Sequence, residues 1–282
     1  MKKYVVYSAI IGQYDIVLQP EVIDERFDYI MFSDSMENRK EGIWEIRRIN
    51  YRNAIPTKTA RWVKTHPEVL LPEYVASTWI DASVLITSNY IYERTISLYE
   101  NNALIATHVH PERNCIYNEM FGMLVFQWEQ EDIILKWGQK LRKELYPREI
   151  GTFETRVLYR SHMSPAIVEL DNFWWDCINE YSRRDQLSFN YCLWKLNIHC
   201  QSFLPLNCSV HNSEHFQINN HINSAKKRVG RPSWLIRYYY KHPNSNIENV
   251  YYWIYGRVYP KLWSLILGQY FRFKHLVNYV FS

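Results

Sequence analysis

The stretch Tyr74-Val75-Ala76-Ser77-Thr78-Trp79-Ile80-Asp81-Ala82-Ser83 decides the fold. A β-prone run ends in one acid flanked by small residues, the form of a buried strand that stops either at a ligand or in a turn. In open α/β sheets ligands gather outside the carboxyl ends of strands, so Asp81 stands where a metal-bound diphosphate would sit. A turn aspartate that merely closes the strand accounts for this segment alone equally well.

Upstream, residues 3–10 and 29–33 read as short buried strands around a loop that holds Gly12, Asp15 and Pro20. Residues 44–49 form another candidate strand, and residues 53–65 a helix with Lys58, Arg61 and Lys64 spaced by three along one side. That basic edge faces either solvent or phosphate. Downstream come a helix over 89–100, a strand over 103–108, helices within 115–127 and 129–145, and a strand over 156–160. Such alternation predicts an α/β sandwich of Rossmann type, with a mainly parallel central sheet covered by helices. Apolar residues at 167, 170, 174, 177, 178 and 181 recur at helical spacing, which places Trp174 toward the core. A further helix starts near Asp185 and runs to about Asn197, and its first position suits an N-cap aspartate. From Pro205 to Phe216 the chain is polar, with His211 and His215 in a loop that returns toward the site.

A chain of 282 residues, 47% hydrophobic, is globular and long enough for one large domain or for one domain with an appendage. Its 16% aromatic content serves packing and stacking on sugars or bases alike. Charge divides the chain. From Lys226 onward there are ten Lys or Arg and one acid, Glu248, a net of +9, which leaves a net of −5 on the first 225 residues. The expected organisation is a binding and catalytic domain over 1–224 and a helical, basic and aromatic appendage over 225–282. Clustered cations among Trp and Tyr suit a membrane surface. Nucleic acid is the weaker fit for them, since no nucleic-acid motif accompanies the charge. The cysteines at 115, 177, 192, 200 and 208 form no CxxC pair and no zinc spacing, which fits a reducing cytoplasm. The N-terminus has no signal-peptide pattern and no apolar run is long enough to span a bilayer. The expected location is therefore cytoplasmic, peripheral at the inner face of the cell membrane.

Several separated blocks carry a resemblance. They are residues 7–15 (Tyr-Ser-Ala-Ile-Ile-Gly-Gln-Tyr-Asp), 32–34 (Phe-Ser-Asp), 60–67 (Ala-Arg-Trp-Val-Lys-Thr-His-Pro), 79–83 (Trp-Ile-Asp-Ala-Ser), 108–113 (His-Val-His-Pro-Glu-Arg) and 182–189 (Ser-Arg-Arg-Asp-Gln-Leu-Ser-Phe). Together they resemble a glycosyltransferase-like family, formerly a domain of unknown function, of bacterial surface-polysaccharide clusters and plant Golgi proteins. The resemblance covers about residues 4 to 190 and is most specific in the Trp-Ile-Asp and Arg-Asp-Gln-Leu-Ser-Phe blocks. It implies a GT-A-type fold that transfers a sugar from a nucleoside-diphosphate sugar to an acceptor hydroxyl of a glycan or lipid-linked acceptor, in surface polysaccharide or capsule synthesis.

On that resemblance the expected nucleotide-sugar contacts are Ile11, Gly12, Tyr14, Asp15, Asp34, Arg61, Lys64, Trp79 and His110. Gly12 permits close backbone approach, and Arg61 and Lys64 offer charge to a diphosphate. Asp81, Ser83 and His211 are the expected ligands of a divalent metal, Mn2+ or Mg2+, with His215 as the substitute for His211. Ser83 stands where many GT-A enzymes have a second aspartate, which leaves metal dependence open. Asp185 is expected as general base or as the group that orients the attacking hydroxyl, Gln186 as a donor-sugar contact and Glu154 as the other candidate base. The competing functions are a nucleotide- or sugar-binding protein without catalysis and a lipid-directed, ceramidase-like hydrolase.

Overall fold

The computed structural model describes residues 3–110, 113–126, 128–205 and 208–219. The proposed appendage over 225–282 and its boundary lie outside the described residues, as do Pro111 and Glu112 of the block at 108–113. The elements in chain order are β1 (Tyr4–Ile10), β2 (Phe27–Ser33), β3 (Arg39–Glu41), β4 (Trp44–Arg48), α1 (Pro56–Thr65), α2 (Pro67–Leu70), β5 (Ala76–Ile80), β6 (Val84–Ile86), α3 (Tyr90–Glu100) and β7 (Ile105–Val109). They continue through α4 (Ile116–Phe126), α5 (Glu131–Lys143), β8 (Phe153–Arg160), α6 (Pro165–Glu180), α7 (Gln186–Lys195), β9 (Gln201–Ser202) and β10 (Phe216–Ile218).

Eight strands form one sheet in the order β3-β4-β2-β1-β5-β8-β7-β9. The pairings β4-β2, β2-β1, β1-β5 and β7-β9 are parallel, so every strand except β3 and β8 shares one direction. The mainly parallel α/β sheet expected from the sequence is present. Strands buried on both faces should be apolar throughout, and all seven residues of β1 are buried. Val5, Tyr7 and Ala9 of β1 enter the core shared with α1, α4, α5, α6 and α7; Tyr4, Val6 and Ile10 enter the opposite core with α3 and β6. Each buried large apolar side chain contributes roughly 1.5–3 kcal/mol, and Trp79, Trp137 and Trp174 lie among the largest that are fully buried.

Prolines set the helix boundaries near the site. Pro56 opens α1, where its missing N–H and fixed φ cost little, and Pro67 follows the terminal His66. Strand β5 is shorter than the 74–83 segment, because the chain turns at Asp81 and re-enters as β6. The polar stretch after Pro205 does more than loop back: its β10 pairs antiparallel with β6, Phe216 opposite Ile86. Strand β8 begins three residues before the expected Arg156 and lies antiparallel between β5 and β7. Strands of two or three residues have too little length to show a period, and their pairing is long-range, so local pattern cannot reveal them.

Candidate functional site

Because the parallel strands share a direction, their carboxyl ends meet along one edge, where β8 also begins. β1 delivers Ile11 and Gly12 there, β2 Asp34, β5 Asp81 and β7 His110, while β8 brings Glu154 and Thr155. Gly12 has a positive φ of 67°, the left-handed region that glycine enters at no steric cost. Its N–H donates to Asp34 Oδ1 at 3.0 Å. Asp34 therefore spends one carboxylate oxygen on holding the β1 loop. Tyr14 is exposed and Asp15 half-buried on that loop, whereas the Ile11 side chain is buried.

An irregularity in β8 shapes the centre of the edge. Between Ala106 and His108, β7 advances two residues while β8 advances five, from Tyr159 to Glu154. Val157 and Tyr159 belong to the core on the α3 side, and strict alternation would turn Thr155 to that face as well. The bulge instead aims Thr155 Oγ1 at Lys64 and Asp185, beside the helices.

The ion cluster there is built from three elements. Lys64 of α1, 1% exposed, donates from Nζ to Asp185 Oδ2 at 2.6 Å, to the Thr155 carbonyl at 2.6 Å and to Thr155 Oγ1 at 3.0 Å. Its ammonium thus uses its three donors, between the rings of Trp79 and Trp174. Asp185 also accepts from Thr155 Oγ1 at 3.0 Å and lies 3.1 Å from Arg61 Nε, an ion pair off the line of a hydrogen bond. Burial alone would raise the Asp185 carboxyl, but Arg61, Lys64 and the hydrogen bonds outweigh it and hold the group well below the usual carboxylate range. Asp81, 23% exposed, receives the Trp79 indole N–H on Oδ1 at 2.8 Å, with Arg61 and Lys64 each 3.9 Å from the same oxygen. Its Oδ2 has no partner among the described residues.

A second cluster adjoins the first, since the Asp81 N–H donates to the Arg156 carbonyl. Glu154 is buried, with Oε2 3.0 Å from His108 Nε2, and Oε1 bonded to Arg156 Nε and 3.7 Å from His211 Nε2. Burial works against its charge, yet the His108 hydrogen bond and Arg156 prevail and lower its pKa to about 2. His110 is pushed down to about 4, by burial first and then by Arg113, whose backbone N–H donates to His110 Nδ1 at 3.1 Å.

Several expected roles change on this geometry. Trp79 is a core residue, packed edge-on against Tyr7, and positions Asp81 rather than meeting a nucleotide. Lys64 is sealed onto Asp185, so the basic edge of α1 faces neither solvent nor phosphate at that position. Asp185 precedes α7 as expected, but its side chain makes no capping hydrogen bond, having been taken by Lys64 and Thr155. A carboxylate held so low, like that of Glu154, is a weak proton acceptor, which suits Asp185 to orientation rather than general-base work. Gln186 is half-buried at the first position of α7.

The expected metal ligands do not form a set. Ser83 is buried, His211 sits beside Glu154, and Asp81 faces two cations on its bonded oxygen. His215 stacks on Tyr90 at 4.1 Å and lies 3.0 Å from Ser88 Oγ. Among the described residues no group of three His, Cys, Asp or Glu side chains converges to hold a metal ion. The sequence reading overlooked Thr155 and Arg156, whose roles depend on a bulge, and Arg184, which lies inside the block at 182–189 and has Trp128 beneath it.

The profile of the TOD1/MUCI70 glycosyltransferase-like domain matches residues 1–221. No curated protein sequence matches the chain. Among solved structures, the WbbM bifunctional glycosyltransferase in its apo form is similar at 12% identity and a TM-score of 0.43, over 73% of this chain and 39% of that one. Mouse xyloside xylosyltransferase 1, also apo, shows 9% identity and a TM-score of 0.40, over 71% and 84% of the two chains. The mannosyltransferase Ktr4p from S. cerevisiae shows 11% and 0.34, over 68% and 65%. With TM-scores below 0.5, these likenesses are too distant to assign a donor or an acceptor to this chain.

Proposed function

The chain belongs to the TOD1/MUCI70 glycosyltransferase-like family, and on that premise we propose that it moves a sugar from a nucleoside-diphosphate sugar to an acceptor hydroxyl in surface polysaccharide or glycan synthesis. The observation that supports the reading is the Asp81 carboxylate at the end of β5, one oxygen fixed by Trp79 and the other open, beside the Arg61–Asp185–Lys64 cluster. In the proposed step Asp81 takes the acceptor proton, the acceptor oxygen bonds to the sugar's anomeric carbon, and the bond from that carbon to the diphosphate breaks. The electron pair leaves with the nucleoside diphosphate, toward the cationic side of the cluster. Asp185 orients Arg61 and fixes Lys64; the Gly12 loop and Gln186 meet the donor. A resident Mn2+ or Mg2+ is left out of this step, because the expected ligands do not converge.

The test is Asp81→Asn. Turnover with the cognate donor and acceptor is expected to fall roughly 10²- to 10⁴-fold, the usual worth of a positioned proton acceptor, while donor binding persists. Full turnover in that variant overturns the assignment.

The proposal extends to location. Asn219 donates its N–H to the Ser83 carbonyl at 2.7 Å, two residues from Asp81, and the sequence of 225–282 is basic and aromatic. That composition fits an anionic membrane surface at the cytoplasmic face, where a lipid-linked acceptor would be presented. Deleting 225–282 is expected to abolish binding to vesicles of phosphatidylglycerol while leaving donor binding intact; vesicle binding that survives the deletion removes this part of the reading.

A further inference from the structure

Arg184 stands directly before Asp185, and its guanidinium lies over the Trp128 ring at 5.6 Å, with Trp128 42% exposed. Its backbone N–H donates to Ser182 Oγ at 3.0 Å, but its side chain makes no hydrogen bond or ion pair with any described residue. The surroundings do not favour the charge. Burial first, then the guanidiniums of Arg61 and Arg183, pull its pKa below the ordinary arginine value, and only Asp185 and Glu129 act the other way. Both of those acids are already engaged. Asp185 is held by Lys64, Thr155 and Arg61, and Glu129 accepts from Ser182 Oγ at 2.8 Å with Arg183 3.7 Å away.

Arg61 has a narrower deficit: its charge is paired at 3.1 and 3.9 Å with Asp185 and Asp81, but its buried Nε has no hydrogen-bond partner among the described residues. Asp185 and Asp81 outweigh burial and secure the Arg61 charge, so the cation left without a counter-anion is Arg184, beside the unbonded Nε of Arg61. Arg61, Lys64 and Arg184 against Asp81 and Asp185 leave one positive charge in excess. A planar guanidinium offers paired N–H donors that match phosphoryl oxygens, and it stacks on aromatic rings, as Arg184 does on Trp128.

Resting on the transferase reading above, we propose that Arg184, backed by Trp128 and joined by Arg61, binds the diphosphate of the nucleotide donor and neutralises the leaving nucleoside diphosphate. As the anomeric carbon–oxygen bond breaks, its electron pair becomes charge on the phosphate oxygen, and the acceptor's proton goes to Asp81, so the arginines meet an anion that grows during the step. Positive charge at the leaving group thus comes from side chains of this chain, in a site whose expected metal ligands do not converge.

The experiment is calorimetric titration of UDP, GDP, CDP and dTDP, in EDTA and in Mn2+, into the full chain and into Arg184→Gln, with the unfolding temperature of each apo protein. The wild type is expected to bind one of these nucleotides in EDTA, and Arg184→Gln to bind it roughly 10- to 100-fold more weakly, the loss of one charge-assisted contact. The apo variant is expected to unfold at the wild-type temperature or above it, since an uncompensated cation has gone. Arg184→Lys, which keeps the charge but not the fork, falls between the two in affinity. Unchanged nucleotide affinity in Arg184→Gln, or an apo unfolding temperature several degrees lower, overturns the proposal by making Arg184 irrelevant or merely structural. A wild type that binds no nucleoside diphosphate in either buffer overturns the transferase reading itself, and this inference with it.

Discussion

Two arginine–aspartate groups in this molecule are chemically alike and built for different ends. Arg160 and Asp171 are wholly buried and 2.8 Å apart, with Arg160 also donating to Tyr7 Oη and to the Lys64 carbonyl. Arg61, Asp185 and Asp81 meet beside the strand ends, Asp185 buried but Arg61 and Asp81 partly exposed, with one Asp81 oxygen open and the Arg61 Nε without a hydrogen bond. The first group joins β8 to α6, β1 and α1 and has no route to a ligand. Both groups leave a guanidinium Nε and one carboxylate oxygen without a hydrogen bond, Arg160 Nε and Asp171 Oδ2 in the closed interior, Arg61 Nε and Asp81 Oδ2 where the parallel strands end, so access is what separates them. Ion pairing alone therefore marks no site; unspent capacity at an accessible edge does.

The strongest way to break that contrast is to remove one partner from each group. Asp171→Ala leaves Arg160 charged and buried, and is expected to cost about 3–5 kcal/mol of unfolding free energy, read by chemical denaturation. Asp81→Asn leaves the buried Lys64 still paired with Asp185 and is expected to change stability by under about 1 kcal/mol while turnover collapses. If Asp81→Asn destabilises as much as Asp171→Ala, the edge is as structural as the interior and the contrast fails.

Acid sharpens it next. Burial raises the Asp171 carboxyl from 3.8 to about 7, Arg160 opposing, so the folded state holds that proton more tightly and its contribution to stability declines as pH rises from about 4 to 7. Glu154 has the opposite sign. Its folded value of about 2 lies below the ordinary 4.5, so its contribution is complete above 4.5 and is lost as pH falls toward 2, on the order of 3 kcal/mol in all. Unfolding free energies from pH 2 to 8 should show a steep acid limb in the wild type and a shallower one in Glu154→Gln. An unchanged limb means that His108, Arg156 and His211 do not hold Glu154 ionised.

The two regions also differ in how far the sequence discloses them. The strands β1, β2 and β5 and the helices α1, α3 and α6 are legible because each has a long, unbroken period or a proline boundary, as at Pro56. Asp81 is legible as a site candidate because an acid ends an apolar strand among small residues, and Asp185 because its Arg-Asp-Gln block carries the family resemblance, a helix-start aspartate by itself reading as a cap. Their environments are not. That Lys64 turns inward depends on Thr155, and Thr155 faces it only because β8 bulges against β7, a long-range register that no local spacing encodes. Trp79 reads as a ligand contact because exposed and buried indoles look alike in sequence; its place in β5, between Tyr7 and Lys64, makes it core. Arg184 is hidden for a related reason, since the lack of a partner is visible only when every neighbour is in place.

The smallest effect tests whether the open edge is held as firmly as the closed interior. Gly12 adopts its φ of 67° where the β1 loop turns, and an added Cβ would have its nearest neighbour, Pro56 Cβ, at 3.8 Å, an ordinary contact. Space does not object to Gly12→Ala; only the left-handed backbone does, at about 1–2 kcal/mol. If the loop is rigid, that strain appears in full as lost stability, measured by denaturation. If the loop relaxes, the stability loss shrinks below about 0.5 kcal/mol, and the Gly12 N–H gives up Asp34, exchanging faster with solvent. The second result is the one expected of the open edge, because among the described residues a single hydrogen bond to the half-exposed Asp34 just after β2 holds Gly12, whereas Arg160 in the interior is bound to α6, β1 and α1 at once.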